Sequence, residues 1–279
     1  RVSDGAVWSA APEITRKEFT ALRDLLHGTF GLDLREGKER LVTARLSKYL
    51  RSGGFATFDQ YLRHVQADRS GDKLTELVDA MTTNHTSFLR EPEHFRFLAS
   101  VIVPELRKRS IITVWSAASS TGEEPYSILF SLDDALQGGS RPDVRIVGTD
   151  ISTRVLRTAQ QGLYVAEKLK YLPPAWLPKY FQSQDRGKTS WQVRPEWRAK
   201  VEFRRLNLME PLPVRGSYPV IFCRNVMIYF DKATQSAVVR KLASALEPGG
   251  YLLVGHSESL TGLDHSLQYV RPAVYRRPA

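Results

Sequence analysis

Residues 111–127 read IITVWSAASSTGEEPYS, and this stretch decides the fold of the chain. The first five residues are β-branched or aromatic, which is typical of a strand. Small residues follow, and then Glu123 and Glu124 carry the charge that favours the first turn of a helix. The stretch therefore predicts a strand that runs through a small-residue loop into a helix, as in α/β sheets.

Further β-rich runs alternate with helical segments on the carboxyl side of this unit. They are VRIVGTD (144–150), VEFRRL (201–206), PVIFC (219–223) and YLLVG (251–255). This alternation predicts an α/β fold with a doubly wound, mostly parallel sheet. The runs SLQYV (266–270) and AVYRR (273–277) predict a strand pair that closes the sheet in antiparallel orientation.

The part of the chain before this sheet lacks a strand pattern, and residues 12–83 are predicted to form an all-helical domain. Thr15 and Glu18 form a capping box at the start of a helix that Gly31 ends. A second helix is predicted over 36–51, and short helices near 57–65 and 72–82.

Residues 84–98 are predicted to link this domain to a second one, over 99–279, and to contribute to its site. Within 162–200 the alternation of strands and helices stops. Three prolines and a polar loop, QSQDRGKTS (182–190), interrupt it. We interpret this segment as a small inserted β-subdomain.

Composition excludes several classes of protein. The chain has 279 residues, 42% of them hydrophobic, which excludes a largely disordered chain. No apolar run approaches the roughly 20 residues that span a bilayer, and the first 13 residues, RVSDGAVWSAAPE, have no secretory h-region. We therefore expect no membrane insertion and a cytoplasmic location. A single cysteine, Cys223, allows no internal disulfide and no Cys/His zinc cluster, so no metal is predicted.

The net charge of +10 favours anionic partners, but it does not select among nucleic acid, lipid and acidic protein. The motifs of common nucleic-acid-binding modules are absent from the sequence, so no nucleic-acid partner is predicted.

Ligands of open α/β sheets bind outside the carboxyl ends of the strands, so the residues at those positions are candidates for a site. Small side chains at 117–121 would let a ligand approach the backbone, whereas Glu123 and Glu124 would repel a pyrophosphate and favour an ammonium group. Asp150 ends the second strand, where an acidic side chain commonly binds ribose hydroxyls. A nucleoside with an ammonium and no phosphate indicates S-adenosylmethionine. In the alternative, the glutamates only favour the helix dipole and Asp150 caps the next helix.

Six runs of the chain also carry a family resemblance. They are NHTSFLRE (84–91), WSAASSTGEEPYS (115–127), GTDIS (148–152), NLME (207–210), IFCRNVMIYFD (221–231) and GHSESL (255–260). In this order they resemble CheR-type chemotaxis receptor methyltransferases. The resemblance implies transfer of a methyl group from S-adenosylmethionine to glutamate side chains on the cytoplasmic helical domain of chemoreceptors (methyl-accepting proteins). The products would be glutamyl methyl esters and S-adenosylhomocysteine.

The resemblance also implies roles for individual residues. The cofactor contacts would be Asn84, Thr86, Arg90, Glu124, Asp150, Asn207, Leu208, Asn225 and Val226. Arg90 and Tyr229 would lie beside the transferred methyl group as catalytic residues. Without the resemblance, Arg90 could equally pair with Glu91 or Glu93, and Tyr229 could be a core aromatic before an Asp231 helix cap.

A basic stripe of Arg45, Lys48 and Arg51 on the second helix corresponds to the family's receptor-binding surface, although such stripes are often only solvated faces. Some family members also bind a receptor tail pentapeptide through a glycine-rich loop of the inserted subdomain. The matching loop here has only Gly187, so we expect this chain to act without a tail tether.

The sequence disfavours three other functions. A nucleic-acid methyltransferase would carry an NPPY-type or Pro-Cys motif, which this sequence lacks. A dinucleotide oxidoreductase conflicts with Glu123 and Glu124 at the phosphate position. A non-catalytic cofactor sensor is disfavoured because every matched motif position is filled.

Overall fold

The computed structural model describes residues 12–83, 85–138, 142–212 and 218–279. The chain forms two compact units, divided after Thr83. Among the described residues, the helices are all too short or too polar to cross a bilayer.

The first unit is helical, as predicted. Its helices are α1 (Arg16–Phe30), α2 (Glu39–Gly53), α3 (Phe58–Ala67) and α4 (Asp72–Met81). The Thr15–Glu18 capping box is confirmed, and Gly31 ends α1 in the left-handed conformation (φ 71°), which a residue without Cβ adopts readily. Leucines at helical spacing are fully buried and form the core of this unit, among them Leu22, Leu46 and Leu77.

The second unit is an α/β domain, and its elements follow one another in chain order. They are α5 (Pro92–Phe97), a π-helical turn (Leu98–Ile102), α6 (Val103–Leu106), β1 (Ile111–Ser116), α7 (Glu123–Ala135), β2 (Asp143–Asp150), α8 (Thr153–Gln161), β3 (Leu163–Val165), α9 (Ala166–Leu169), α10 (Trp176–Tyr180), β4 (Phe181–Ser183), β5 (Ser190–Val193), α11 (Pro195–Arg198), β6 (Val201–Arg205), β7 (Tyr218–Cys223), a 3₁₀ turn (Met227–Tyr229), α12 (Lys232–Ala245), β8 (Leu246–Val254), β9 (Gln268–Arg271) and β10 (Val274–Arg276).

Seven of these strands form the main sheet, in the order β6-β2-β1-β7-β8-β10-β9. The pairs from β6 to β8 are parallel, and β10 pairs antiparallel with both β8 and β9. The predicted fold class and antiparallel closure are therefore confirmed. The strand order reverses at β1, which has β2 on one side and β7 on the other, so the carboxyl end of β1 lies where such sheets bind ligands.

Helices cover both faces of this sheet. Alternate residues of each central strand point to opposite faces, so Val114 joins the core beneath α7 while Trp115 joins the core beneath α12. Phe222 and Ile221 divide in the same way on β7. Burial on both faces explains the nearly continuous apolar runs of these strands.

The inserted β-subdomain is present as a three-stranded antiparallel sheet in the order β3-β5-β4. An aromatic cluster joins it to α7, and in this cluster the rings of Phe130 and Tyr180 stack with centroids 4.0 Å apart. Trp176 and Trp197 pack edge-on against the stacked pair. These contacts fix the subdomain against the helix that follows the β1 loop.

Candidate active site

Asp150 lies at the carboxyl end of β2, and two backbone amides orient its carboxylate. Ser120 N donates to Oδ2 (2.9 Å) and Ser152 N donates to Oδ1 (3.0 Å). The cap of α8 is Ser152, whose hydroxyl accepts from Val155 N (3.4 Å), so the alternative that Asp150 caps this helix is wrong. Asp150 instead ties the β1 loop to the end of β2, beside the predicted ribose position.

The loop after β1 is held in a conformation that places backbone close to the sheet edge. Ser119 N donates to Thr149 O (2.9 Å), and Ser120 has a left-handed φ of 47°. Gly122 has φ 94°, and a Cβ there would lie 2.9 Å from both Ala159 Cβ and Tyr164 Oη. Only glycine fits at this position. Strained backbone of this kind is common at functional sites.

Glu123 does not face the predicted ligand, and the expectation that both glutamates set the charge of the site is wrong for it. Its side chain is fully buried and forms an ion pair with Lys168 of α9. The Thr121 hydroxyl donates to its other oxygen (2.6 Å). The lysine neutralises the carboxylate inside the protein, so Glu123 anchors the inserted subdomain.

The Glu124 carboxylate lies at the start of α7 and is held by Arg224, a buried residue that the sequence interpretation did not single out. Ser116 Oγ donates to Glu124 Oε1 (2.7 Å), and Arg224 Nη1 donates to Oε2 (2.8 Å). The Arg224 side chain is only 1% exposed and also pairs with Glu91 Oε2 (2.9 Å). Its Nη2 donates further to the carbonyl of Arg90. We call these contacts the Arg224 network; they join the start of α7, the end of β7 and the linker before α5.

Charge complementarity stabilises this network. Burial raises the pKa of Glu91, but the hydrogen bond and charge of Arg224 outweigh burial and leave this pKa below its ordinary value. Glu91 is therefore ionised at neutral pH. A planar guanidinium is suited to bridging several oxygen acceptors in this way.

The linker holds Arg90 between two residues in the left-handed region, Leu89 (φ 51°) and Glu91 (φ 58°). The Arg90 guanidinium donates to the carbonyl of His85 (2.8 Å). Glu91 pairs with Arg224 and Glu93 with Arg96, which leaves the proposed pairing of Arg90 with either glutamate unsupported. Thr86 is half-buried in the same linker, and Asn84 lies outside the described residues.

The end of β7 is ordered by Glu258, a second residue that sequence reasoning missed. Its buried carboxylate accepts from the backbone amides of Asn225 (2.7 Å), Met227 (2.7 Å) and Gly255 (2.7 Å). Burial raises the pKa of Glu258 in spite of these hydrogen bonds. The carboxylate holds Asn225 at φ 58°, and the Asn225 amide donates to Glu91 Oε1 (3.4 Å).

The remaining predicted site residues lie in or near the apolar cluster beneath α12. Leu208 is buried there, and Val226 and Tyr229 pack against the same cluster. Asn207 is also buried, and its Oδ1 accepts from Met209 N (3.0 Å). Asp231 caps α12 by accepting from Thr234 N (2.7 Å). This confirms the Asp231 helix cap that was part of the alternative in which Tyr229 is a core aromatic. Tyr229 nevertheless ends the 3₁₀ turn that directly follows Asn225 and Val226.

Cys223 is fully buried, and burial raises the pKa of its thiol well above the ordinary value. A neutral thiol inside a strand is not a nucleophile, so Cys223 contributes to the core rather than to catalysis.

The basic stripe belongs to the helical unit, and its three members differ in exposure and in contacts. Arg45 is half-buried, and its guanidinium donates to the Met81 carbonyl and to Thr83 Oγ1 (3.3 Å). Lys48 and Arg51 are exposed, and the Lys48 ammonium lies 4.7 Å from the centroid of the Tyr49 ring. Arg45 therefore holds the end of α4, and only Lys48 and Arg51 project their charge into solvent.

Asp150 and the small residues after β1 fit the predicted ligand in their hydrogen-bonding groups. A carboxylate can accept about four hydrogen bonds, so Asp150 can hold backbone amides and ribose hydroxyls together. The small residues after β1 leave the backbone accessible. Glu124 keeps a carboxylate at the start of α7, but Arg224 already balances its charge, so Glu124 offers a ligand hydrogen-bond acceptors rather than net negative charge.

Comparisons with known proteins agree with this architecture. Residues 84–275 match the family model described as "CheR methyltransferase, SAM binding domain", and residues 17–82 match "CheR methyltransferase, all-alpha domain". The two matches correspond to the two compact units of the structure.

Curated relatives cover nearly the whole chain. "Chemotaxis protein methyltransferase 2" of Pseudomonas aeruginosa is 41% identical, over 94% of this chain and 93% of its own length. "Chemotaxis protein methyltransferase" of Borreliella burgdorferi is 38% identical, over 95% of each chain. With both domains matched and relatives of this similarity, the chain belongs to the CheR family of S-adenosylmethionine-dependent methyltransferases.

Proposed function

We propose that this chain methylates glutamate side chains on the cytoplasmic helical domain of chemoreceptors, in the cytoplasm, and so contributes to chemosensory adaptation. The observation that carries the proposal is the Arg224 network, which joins the linker of Arg90 to Glu124 and to the end of β7. The names of the relatives, chemotaxis protein methyltransferases, support the receptor as substrate.

The chemistry needs few catalytic groups. Bound S-adenosylmethionine would supply an activated methyl group on a sulfonium. A glutamate titrates near pH 4.3 and is already ionised at neutral pH, so no general base is needed. The enzyme must align the carboxylate and exclude water, and alignment contributes about 7 kcal/mol or more in well-oriented reactions. Arg90 would orient the substrate carboxylate, and Tyr229 would donate a hydrogen bond beside it.

The direct test is to incubate the chain with methyl-labelled S-adenosylmethionine and a receptor cytoplasmic fragment, and then to treat the product with base. A glutamyl methyl ester releases labelled methanol, whereas N-methyl groups are stable. A reaction without receptor fragment is the control. Label that stays on the protein after base would contradict ester formation.

Arg90→Ala is expected to lower turnover about 100-fold while weakening product binding much less, because its role lies in the transition state. Arg90→Lys should recover only part of the activity, since lysine lacks the planar fork. Steady-state kinetics and calorimetry with S-adenosylhomocysteine measure the two effects. Arg96→Ala, on the neighbouring helix, is the matched control. Normal turnover in Arg90→Ala would refute the assignment.

Lys48→Glu combined with Arg51→Glu is expected to slow receptor methylation about tenfold or more and to leave product affinity unchanged, because rim charges govern association. Arg45 is left intact because it holds the end of α4. The activity of the unmodified chain should also fall with rising salt. Reversing exposed Arg16 and Lys17 of α1 makes the same charge change elsewhere and is the control. Equal rates in both double variants would show that the stripe is only a solvated face.

The loop at 182–190 of the inserted subdomain is compact in the structure. The Asp185 carboxylate accepts from Thr189 N (3.0 Å) and Ser190 N (2.8 Å), and these bonds close the turn between β4 and β5. Hydrogen bonds lower the pKa of Asp185 to about 2, and the bond from the Ser190 hydroxyl contributes most, followed by that from the Thr189 amide. We therefore propose an enzyme that needs no receptor tail pentapeptide.

Titrating the chain with tail pentapeptides is expected to show no saturable binding, and removing the receptor tail should leave the methylation rate unchanged. A peptide of scrambled sequence controls for nonspecific association. Micromolar binding of the ordered peptide alone would show that a loop with one glycine suffices.

A further inference from the structure

Beside the Arg224 network, Glu91, His94 and His256 converge from two distant parts of the chain. One potential ligand atom from each side chain lies within 4.8 Å of the other two. His94 Nδ1 lies 3.5 Å from Glu91 Oε2, and the two imidazole rings meet edge to face with centroids 4.9 Å apart. The backbone N–H of His256 donates to Glu91 Oε2 (3.2 Å), which fixes the loop after β8 against the start of α5.

His94 is the unusual member of this cluster. It is 2% exposed, and neither ring nitrogen makes a hydrogen bond of good geometry with any part of the chain that the structure describes. Buried polar groups are nearly always hydrogen-bonded, so this pair of nitrogens needs a partner. A neutral imidazole has one lone-pair nitrogen, and a metal ion is a common partner for such a nitrogen.

The cluster has an open side. His256 is exposed, and a cavity of about 200 Å³ is lined by Glu93, His94, His256, Arg271, Pro272 and Val274. This cavity gives an ion a path to the cluster and room for a water molecule as a further ligand.

We propose that Glu91, His94 and His256 bind a divalent transition metal of the zinc and cobalt class. Two imidazole nitrogens and one carboxylate oxygen, with water in the fourth position, form a ligand set that such ions accept in tetrahedral geometry. Ligand atoms in that geometry lie about 3.3 Å apart, so the exposed His256 ring must rotate toward His94. Nitrogen ligands disfavour magnesium and calcium, which prefer oxygen.

Nearby cations limit the affinity. Arg224 occupies part of the Glu91 carboxylate (2.9 Å), and Arg271 lines the cavity. Both repel a divalent ion, so we expect micromolar rather than nanomolar dissociation constants. The prediction of no metal rested on the single cysteine, which offers no Cys/His cluster. Glu91 and His94 are far from His256 along the chain, so no local motif indicates this cluster.

Cobalt(II) titration of the tag-free, chelator-treated chain tests the site without reference to activity. One ion per chain should bind and give the visible absorption of a tetrahedral complex, and zinc should displace it. His256→Ala should weaken binding about tenfold or more, and its exposed position allows the variant to fold. His85→Ala, which removes an exposed histidine outside the cluster, should bind like the unmodified chain. Absence of saturable cobalt binding, or equal affinity in His256→Ala, would overturn the proposal.

Discussion

Replacing Arg224 with alanine is expected to lower the free energy of unfolding by about 3–5 kcal/mol, because it leaves two largely buried carboxylates without their counter-charge. The Glu91 and Glu124 side chains are 15% and 12% exposed, so water cannot replace the guanidinium fully. Urea unfolding followed by circular dichroism measures the loss. Affinity for S-adenosylhomocysteine should fall as well, since Glu124 loses the partner that positions it.

Two further variants make this result specific. Arg224→Lys keeps the charge but cannot reach Glu91, Glu124 and the Arg90 carbonyl together, so its stability should be intermediate. Arg204→Ala removes an exposed arginine that pairs with Glu202 and should cost about 1 kcal/mol or less. A loss below about 1 kcal/mol in Arg224→Ala would show that the network contributes little.

Asp150→Ala is expected to reduce affinity for S-adenosylmethionine and its demethylated product by about 100-fold or more, since each charge-assisted hydrogen bond to a ribose hydroxyl contributes about 1.5–3 kcal/mol. The loss of Asp150 also releases Ser120 N and Ser152 N from the loop. Asp150→Asn should weaken binding too, because its amide group would oppose one of these donors. Isothermal titration calorimetry with S-adenosylhomocysteine measures the change.

Asp143→Ala provides the matched control, because Asp143 lies at the opposite end of β2 and pairs with Lys200 and Arg145. Its affinity for the product should equal that of the unmodified chain. If Asp150→Ala binds the product as tightly as this control, Asp150 does not contact the cofactor.

Local patterns in the sequence were sufficient for the fold class and for several element ends. The Thr15–Glu18 capping box and Gly31 delimit α1 because helix ends satisfy their backbone groups with nearby residues. The apolar runs of β1, β7 and β8 predict central strands because both faces of a doubly wound sheet are buried. Asp150 could be placed at the carboxyl end of β2, next to the loop after β1, because the carboxyl ends of parallel strands meet at one edge.

The sequence by itself therefore determined the α/β sheet, the helical unit and the strand ends at which site residues lie, since these depend on residues close together in the chain. Only the tertiary structure decided the pairing of side chains. Arg224 contacts Glu124, 100 positions away in the sequence, and Glu91, 133 positions away. The periodicity of the sequence carries no signal for contacts between residues so far apart. The same holds for Glu123, which Lys168 removes from the site, and for His256, which joins His94. These pairings follow from the way the sheet brings distant loops to one edge, where buried charges and polar groups must find partners.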